Sequence, residues 1–413
     1  MRKRQGKAAG VLLLTQVERH ERFMAGLPNF PQIEAEVAGH KLSVALTGAD
    51  RLAAVLKIIS SAKSFLRLFF YIFGDDETSI IVREALIDAR NRGVEVSLLV
   101  DGFGTGDRAD SVYAPLVEAG IIFARFHSAW GRSYLLRNHQ KIIVADEDKV
   151  LVGGANIVND YFSDDPGGAS WHDLYVTIDG PAAERMARYH DVLKGWMLGR
   201  RKSLRSLTQI LSNHSDANGS IRWIMGGPFQ RLSPLTRSIK RDLHGTRRLD
   251  MIQAYFSPNW GMLRRLARIG LRKGGRARVI TAARSDNGVT IAAARHCYKR
   301  MLKSGIEILE YRPQMLHMKL IVADEITYIG SANFDMRSLY INAEVMVRIV
   351  DKGFASQMRK LVDAHVPYCE AITPQVHSKR SGFFARMKWL LAYFIVSSVD
   401  FTVSRGMNLR RDR

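Results

Sequence analysis

Apolar and polar positions along the chain alternate between two periods. From Leu42 onward, Ala53–Ala62 (AAVLKIISSA) has the three-to-four spacing of an amphipathic helix, and Phe65–Phe73 is a mostly apolar run that predicts a strand. A second helix is predicted over Ile80–Asn91, then a turn at Arg92-Gly93 and a strand over Val94–Val100. A short strand follows Ala119-Gly120-Ile121, and Ile142–Ala145 and Val150–Val152 flank Asp146-Glu147-Asp148 as a hairpin. Trp171–Gly180 predicts a further strand, leading into a helix that ends near Trp196. Apolar strands alternating with helices predict an α/β chain whose sheet is covered on both faces. The loop Asp101-Gly102-Phe103-Gly104-Thr105-Gly106 lacks the spacing of a nucleotide-binding turn and is expected at an active-site rim.

The pattern then restarts. Gly199–Arg205 and the polar Ser212–Gly219 read as a linker, and Ile221 opens a second round. Leu249–Phe256 answers the strand ending at Tyr71, Met262–Leu271 is a basic helix, Arg276–Thr281 is the next strand, and Ser304-Gly305-Ile306 answers Ala119-Gly120-Ile121. The expected architecture is two tandem α/β/α domains, residues 41–205 and 206–375, related by a pseudo-twofold axis. A basic N-terminal arm (residues 1–40) and a C-terminal tail (residues 376–413) flank them.

What repeats most closely is a motif. His139-Gln140-Lys141 runs to Asp146 and closes on Gly153-Gly154-Ala155-Asn156; His317-Met318-Lys319 runs to Asp324 and closes on Gly330-Ser331-Ala332-Asn333, 178 residues later. Histidine and lysine two apart on a strand project from one face, so each motif presents a titratable ring and a cation to the same space. Two like domains about a twofold axis bring both motifs to one cleft, so a monomer suffices for a complete site. From glycine to histidine the gap is 19 residues in the first half and 12 in the second. The extra seven residues, with Trp130 and Tyr134, are expected to form a substrate-facing loop. Six residues separate Asp146 from Gly153 but five separate Asp324 from Gly330, which predicts a tighter second hairpin.

Such a constellation suits displacement at a phosphodiester. Lys141, Lys319, Asn156 and Asn333, with the Ser331 hydroxyl and the Gly154 position, would hold the anionic oxygens as charge builds, and the lysines make a metal unnecessary. One neutral histidine would attack phosphorus and the other would protonate the leaving alcohol and later deprotonate the incoming one. Asp173 and Glu344, 34 and 27 residues after His139 and His317, are proposed to orient the histidines. Asp146 and Asp324 complete the candidate catalytic set, expected to fix the hairpins or pair with a lysine. A lone strand histidine is usually a satisfied core residue and a Lys–Asp pair usually sits at the surface; the repetition outweighs both.

Composition adds a partner. Sixty-one Lys and Arg against 40 Asp and Glu give a net charge of +21, a field that draws polyanions, nucleic acid or anionic membrane alike. The run Val11–Leu14 is too short for a secretory signal and no stretch is long enough to span a bilayer, while two cysteines with no metal or disulfide spacing indicate a reducing compartment. The uncharged run Trp389–Val399 would span about 17 Å as a helix, short of the bilayer core of about 30 Å. Between cations at Arg386 and Lys388 and those at Arg405, Arg410, Arg411 and Arg413, it is expected to lie in the interface or to dock on the core.

The two motifs resemble the H-x-K-x4-D signature of the phospholipase D superfamily, over about Leu42 to Val347. Gly330-Ser331-Ala332-Asn333-Phe334-Asp335-Met336-Arg337-Ser338-Leu339-Tyr340-Ile341-Asn342-Ala343-Glu344 is similar to the bacterial cardiolipin synthase branch. The resemblance implies two tandem phospholipase D-like domains, no metal or other cofactor, and a phosphohistidine intermediate with His139 as nucleophile and His317 as acid/base. It implies a phosphatidyltransferase for phosphatidylglycerol and cardiolipin, of the shorter kind without N-terminal transmembrane segments, peripheral on the cytoplasmic side of the cell membrane. The runner-up is hydrolysis or transfer to another alcohol. A nuclease of the same fold is the reading from another class, and nucleic acid is the disfavoured partner because the tail is apolar as well as basic.

Overall fold

A computed structural model describes residues 30–106, 112–126, 136–165, 169–200 and 202–399. The first half builds an eight-stranded sheet from β1 (Ile33–Val37), β2 (His40–Ala45), β3 (Phe65–Phe70), β4 (Glu95–Asp101), β5 (Ile122–Phe126), β6 (Lys141–Ala145), β7 (Lys149–Gly153) and β8 (Tyr175–Asp179). The second uses β9 (Ile221–Gly226), β10 (Arg248–Gln253), β11 (Arg276–Ala282), β12 (Glu307–Tyr311), β13 (Lys319–Ala323), β14 (Ile326–Gly330), β15 (Glu344–Val350) and β16 (Cys369–Ala371). The orders are β1-β2-β8-β7-β6-β3-β4-β5 and β9-β15-β14-β13-β10-β11-β12-β16. Seven strands match one for one; β1 extends the first sheet at one edge and β16 the second at the other.

β1 lies inside the stretch expected to be an arm, so the sheet starts earlier than residue 41. Its alternation of buried Ile33 and Val37 with exposed Glu34 and Lys41-facing Glu36 is that of an edge strand with one covered face. The segment read as a linker is not all loop: Leu204–Asn213 is a helix, capped by Ser203, whose Leu207 and Leu211 enter the core.

Towards one end of each sheet three consecutive strands run parallel: β3, β4 and β5 in one, β10, β11 and β12 in the other. Their side chains divide by period two. Leu66, Leu68 and Phe70 face outward onto helices α1 (Gly48–Ser61) and α2 (Glu77–Asn91), while Phe69 faces the other sheet. In β10, Leu249 and Met251 face α4 (Pro234–Gly245), α5 (Trp260–Leu271) and α6 (Gly288–Lys303), while Ile252 faces inward. Between the sheets lies one core fed by both halves and by α3 (Ala182–Leu198) and α7 (Lys352–His365), including Met186, Leu193, Met358 and Leu361. The halves therefore share one continuous apolar interior, which holds the two motifs against each other.

The hairpins carry the predicted difference. Ala145 pairs with Lys149 around a three-residue turn, whereas Ala323 pairs with Ile326 around two. In the C-terminal region, α8 (Pro374–Arg380) and α9 (Phe383–Phe394) pack on α6, through Trp389, Ala392 and Tyr393 in the case of α9. Among the described residues no helix is long and apolar enough to cross a membrane.

Candidate active site

β6 and β13 occupy equivalent places in the two sheets, and each opens on the lysine of its motif. The histidines stand just before these strands. Their rings meet across the boundary between halves, centroids 6.5 Å apart. Lys141 Nζ donates to the His139 carbonyl at 2.6 Å, and Lys319 Nζ donates in the same way to the His317 carbonyl. Reaching back along the strand, each ammonium lies beside its own imidazole, as the two-residue spacing predicts.

The carboxylates expected to orient the histidines do lie beside them, but with the partners exchanged. His317 Nδ1 lies 2.6 Å from Asp173 Oδ2, and His139 Nδ1 lies 3.3 Å from Glu344 Oε2 and 3.2 Å from the Ser331 carbonyl. Each histidine is therefore held by a carboxylate of the other half. Backbone bonds enforce the exchange: His317 N–H donates to the His172 carbonyl at 2.8 Å, and His139 N–H to the Ala343 carbonyl at 2.9 Å. In both cases the acceptor is the residue immediately before the carboxylate. His139 Nδ1 faces two acceptors, so that nitrogen carries the proton and Nε2 keeps the lone pair, while His317 Nδ1 lies between the Asp173 carboxylate and Lys319 Nζ, the latter at 2.7 Å.

Gly154 and Ser331, expected to contact substrate, instead serve these carboxylates. A Cβ at Gly154 would stand 2.5 Å from Asp173 Oδ2, so only glycine admits the aspartate there. The equivalent Ser331 hydroxyl donates to Glu344 Oε2 and accepts from Val345 N–H at 3.0 Å, so it is spent within the protein. The asparagines divide: Asn156 Oδ1 accepts from Ile72 N–H at 3.1 Å, with its side chain beside the Tyr161 hydroxyl, whereas Asn333 Oδ1 is buried with no partner among the described residues.

Asp146 and Asp324 are placed at the far ends of β6 and β13, away from the histidines. Asp146 accepts from the N–H groups of Lys63, Ser64 and Phe65 at 2.8–3.1 Å, and Asp324 from Arg247 and Arg248 at 2.9–3.2 Å. Both adopt a left-handed backbone, φ 53° and 48°. They tie each hairpin to the start of the neighbouring strand and pair with no motif lysine, so they leave the reacting set. Partial burial works against the Asp146 charge, but the three N–H donors outweigh it and its pKa is lowered. Asp146→Ala is expected to lower stability by about 1–3 kcal/mol while the folded enzyme keeps its kcat. Asp146→Asn, which tolerates the left-handed region and keeps an acceptor, should recover most of that loss in thermal melts.

Several residues of the site escaped the sequence reading. Tyr71 lies 4.8 Å from the His139 ring and its face lies 5.2 Å from Lys141 Nζ. Tyr161, Trp171 and Tyr255 surround His317 with centroid distances of 5.1, 5.3 and 6.4 Å. Arg51 is fully buried on α1 and donates to the carbonyls of Tyr161 (2.8 Å), Trp171 (3.2 Å), Asp173 (2.7 Å) and Leu46. It fixes the backbone that presents Asp173. Asp101, in the loop expected at the rim, accepts from Asn138 N–H at 2.7 Å and so anchors the peptide next to His139. An arginine on the apolar side of a helix was the one available signal for Arg51.

Burial dominates the electrostatics. It lowers the His139 pKa to about 4, with Lys141 adding to the effect and Glu344 opposing it. His317 is also lowered, by burial and then by Lys319, Lys141 and His139. Both rings are thus neutral in the free protein at neutral pH. Burial raises Asp173 to about 6 against the pull of Lys319, and lowers Lys319 to about 8 against the pull of Asp173. Glu344 is disfavoured as an anion by burial, but His139, Lys141 and the Ser331 hydroxyl outweigh this and lower its pKa. The result is a buried site in which two neutral imidazoles stand beside two lysines.

Known proteins resemble this arrangement. The family described as "Cardiolipin synthase, PLD-like domain" matches residues 55–190 and 239–366, one segment around each motif. Cardiolipin synthase A of Pseudomonas aeruginosa (strain LESB58) is 26% identical over 346 residues, 82% of this chain and 69% of that protein. Cardiolipin synthase A of Pseudomonas putida (strain W619) is 27% identical over 350 residues, 83% and 72% respectively. Among solved structures, phosphatidylserine synthase of Haemophilus influenzae Rd KW20 superposes with a TM-score of 0.69 at 14% identity, covering 93% of this chain and 99% of that one. At that identity the likeness establishes the fold alone.

Proposed function

The chain belongs to the cardiolipin synthase family with phospholipase D-like domains, and from that premise we propose that it is a phosphatidyltransferase making cardiolipin from phosphatidylglycerol. His139 Nε2 attacks phosphorus, a P–N bond forms, and the P–O bond to the headgroup glycerol breaks. His317, which takes up a proton as the anionic diester binds, gives that proton to the glycerol as it leaves. The terminal hydroxyl of a second phosphatidylglycerol then loses its proton to His317 and attacks phosphorus, breaking the P–N bond and releasing cardiolipin. Lys141 and Lys319 neutralise the charge that builds on the non-bridging oxygens.

The observation that carries this reading is the pair of histidines 6.5 Å apart, each bonded through Nδ1 to a carboxylate of the opposite half. Two differences support the division of labour. The shorter carboxylate bond belongs to His317 (2.6 Å against 3.3 Å), and a close carboxylate favours the imidazolium that an acid requires. The His139 side chain is the more exposed, 13% against 5%, as suits the attacking ring. Anionic substrate in place of water favours the charged ring further. Two free cysteines and the basic, partly apolar surface support a place on the cytoplasmic face of the membrane.

Incubation of the purified protein with labelled phosphatidylglycerol tests the proposal. Cardiolipin and glycerol are expected, and neither with His139→Ala. Phosphatidic acid as the sole lipid product would make the enzyme a hydrolase, and plasmid nicking without lipid turnover would make it a nuclease.

The pH profile of kcat/KM is expected to be bell-shaped. Asp173 has a raised pKa, so its orienting charge is present above about 6 and lost as pH falls through that value. Lys319 has a lowered pKa, so its positive charge is present below about 8 and lost as pH rises through it. Lys319→Arg, which stays protonated, should push the alkaline limb upward if the lysine charge is what titrates.

A further inference from the structure

Away from the histidines, α6, α8 and α9 enclose a cavity of about 530 Å³. Lys299, Lys303 and Arg386 line it together with the apolar Leu302, Trp389 and Leu390. No carboxylate lines it among the described residues. Arg295, which also lines it, is taken up in a bidentate pair with the buried Glu310, both bonds 2.9 Å. Lys299 and Lys303 form no ion pair among the described residues, so the cavity keeps an uncompensated positive charge. Its floor is built: Trp389 stacks on His377 at 5.4 Å, and the Tyr393 ring stacks on His296 at 4.7 Å.

The cavity opens beside an apolar face that covers nothing among the described residues. Phe384 and Phe383 are 86% and 71% exposed, and Leu391 is 59% exposed, while Met387, Leu390 and Phe394 continue the same face of α9. Such a patch on a solvent-facing helix marks a contact with an apolar phase or partner. A free phosphate would use the cations and leave the apolar wall wet. A neutral acyl chain would use the wall and leave the cations unmatched. An anionic lipid uses both. The far end of α9 is tied to the neighbourhood of the second motif: the Tyr393 hydroxyl donates to the Pro258 carbonyl at 2.8 Å, next to Ser257, which pairs with Asp335 two residues beyond Asn333.

We propose that the α6–α8–α9 cavity is a second, non-catalytic binding site for an anionic glycerophospholipid of the bilayer surface. Its phosphate sits among Lys299, Lys303 and Arg386, and its chains follow the exposed face of α9 into the membrane. The site is separate from the histidines and does not depend on which lipid is transferred. Occupied, it holds the enzyme on anionic bilayer with the margin of the second half's active site alongside.

Vesicle flotation of the full chain tests this, comparing phosphatidylcholine vesicles with mixed phosphatidylcholine–phosphatidylglycerol vesicles. Lys299→Glu/Lys303→Glu should cut partition onto the mixed vesicles at least about tenfold. Phe384→Ser/Leu391→Ser, on the outer face of α9, should weaken it without touching the core. Both variants should turn over monomeric short-chain phosphatidylglycerol like the unaltered protein, and that assay reports separately on the catalytic proposal. Unchanged flotation of both variants overturns the inference. So does calorimetric binding of inorganic phosphate that the charge reversal abolishes while vesicle binding survives, since the cavity would then take a free anion.

Discussion

Asp173→Asn is expected to lower turnover of phosphatidylglycerol by about 10³–10⁴-fold, and to do so as a lesion of His317 rather than of His139, the histidine of its own half. An amide at 2.6 Å from Nδ1 no longer stabilises an imidazolium, and through its NH₂ it favours the tautomer with the proton on Nε2. The step that suffers is proton delivery to the departing glycerol. A leaving group that needs no proton reveals this. With a phosphatidyl ester of p-nitrophenol, Asp173→Asn and His317→Asn should still release a first equivalent of p-nitrophenolate rapidly. They should then stall with the phosphatidyl group on His139, because the base for the second step is missing. Were Asp173→Asn to lose the burst as His139→Asn does, the exchange of carboxylates between halves would have no catalytic meaning.

His139→Asn should remove turnover altogether, a loss of about 10⁴-fold or more, with either leaving group. It takes away the only atom proposed to bond to phosphorus, so no acid-labile, base-stable phosphate adduct should be trapped on any residue by quenched mass spectrometry. Glu344→Gln should follow it in kind but by less, because the Ser331 carbonyl at 3.2 Å still holds the His139 Nδ1 proton. A trapped adduct on His317 in the His139→Asn protein would reverse the assignment of nucleophile and acid.

The two predictions concern pairings that the chain order does not contain. Asp173 follows His139 and Glu344 follows His317 at comparable spacings, and from spacing alone each carboxylate belongs with the histidine before it. The strand arrangement decides otherwise. The residues before His317, Met315–Leu316, lie parallel to Trp171–His172, and Asn138 bridges to Ala343, so each histidine is delivered to the other half's carboxylate. Arg51 was equally hidden, since four carbonyls that converge on it come from positions up to 122 residues away. The aromatic enclosure of His317 draws on Tyr161, Trp171 and Tyr255, which share no motif and meet only after both sheets have formed. Residues 127–135, with Trp130 and Tyr134 of the expected substrate-facing loop, lie outside the described residues, as do residues 1–29 and 400–413.

Local physics was legible. Period two against period three-to-four marked strands and helices, the five-residue spacing after Asp324 announced the tighter hairpin, and the two-residue step from histidine to lysine put ring and ammonium on one side of a strand. The duplication announced two matching sheets and a shared cleft. These follow from short-range geometry, which a sequence carries in its spacing. The sequence left two alternatives for the tail, docking or lying in an interface, and tertiary structure shows one helix with a docked side at Trp389 and Tyr393 and a bare side at Phe384 and Leu391. What belonged to the tertiary structure alone was which half completes which histidine, which polar groups are spent inside the protein, and which remain for a ligand. Those depend on long-range packing of two sheets about one core, where a partner is chosen by proximity in space and not by distance along the chain.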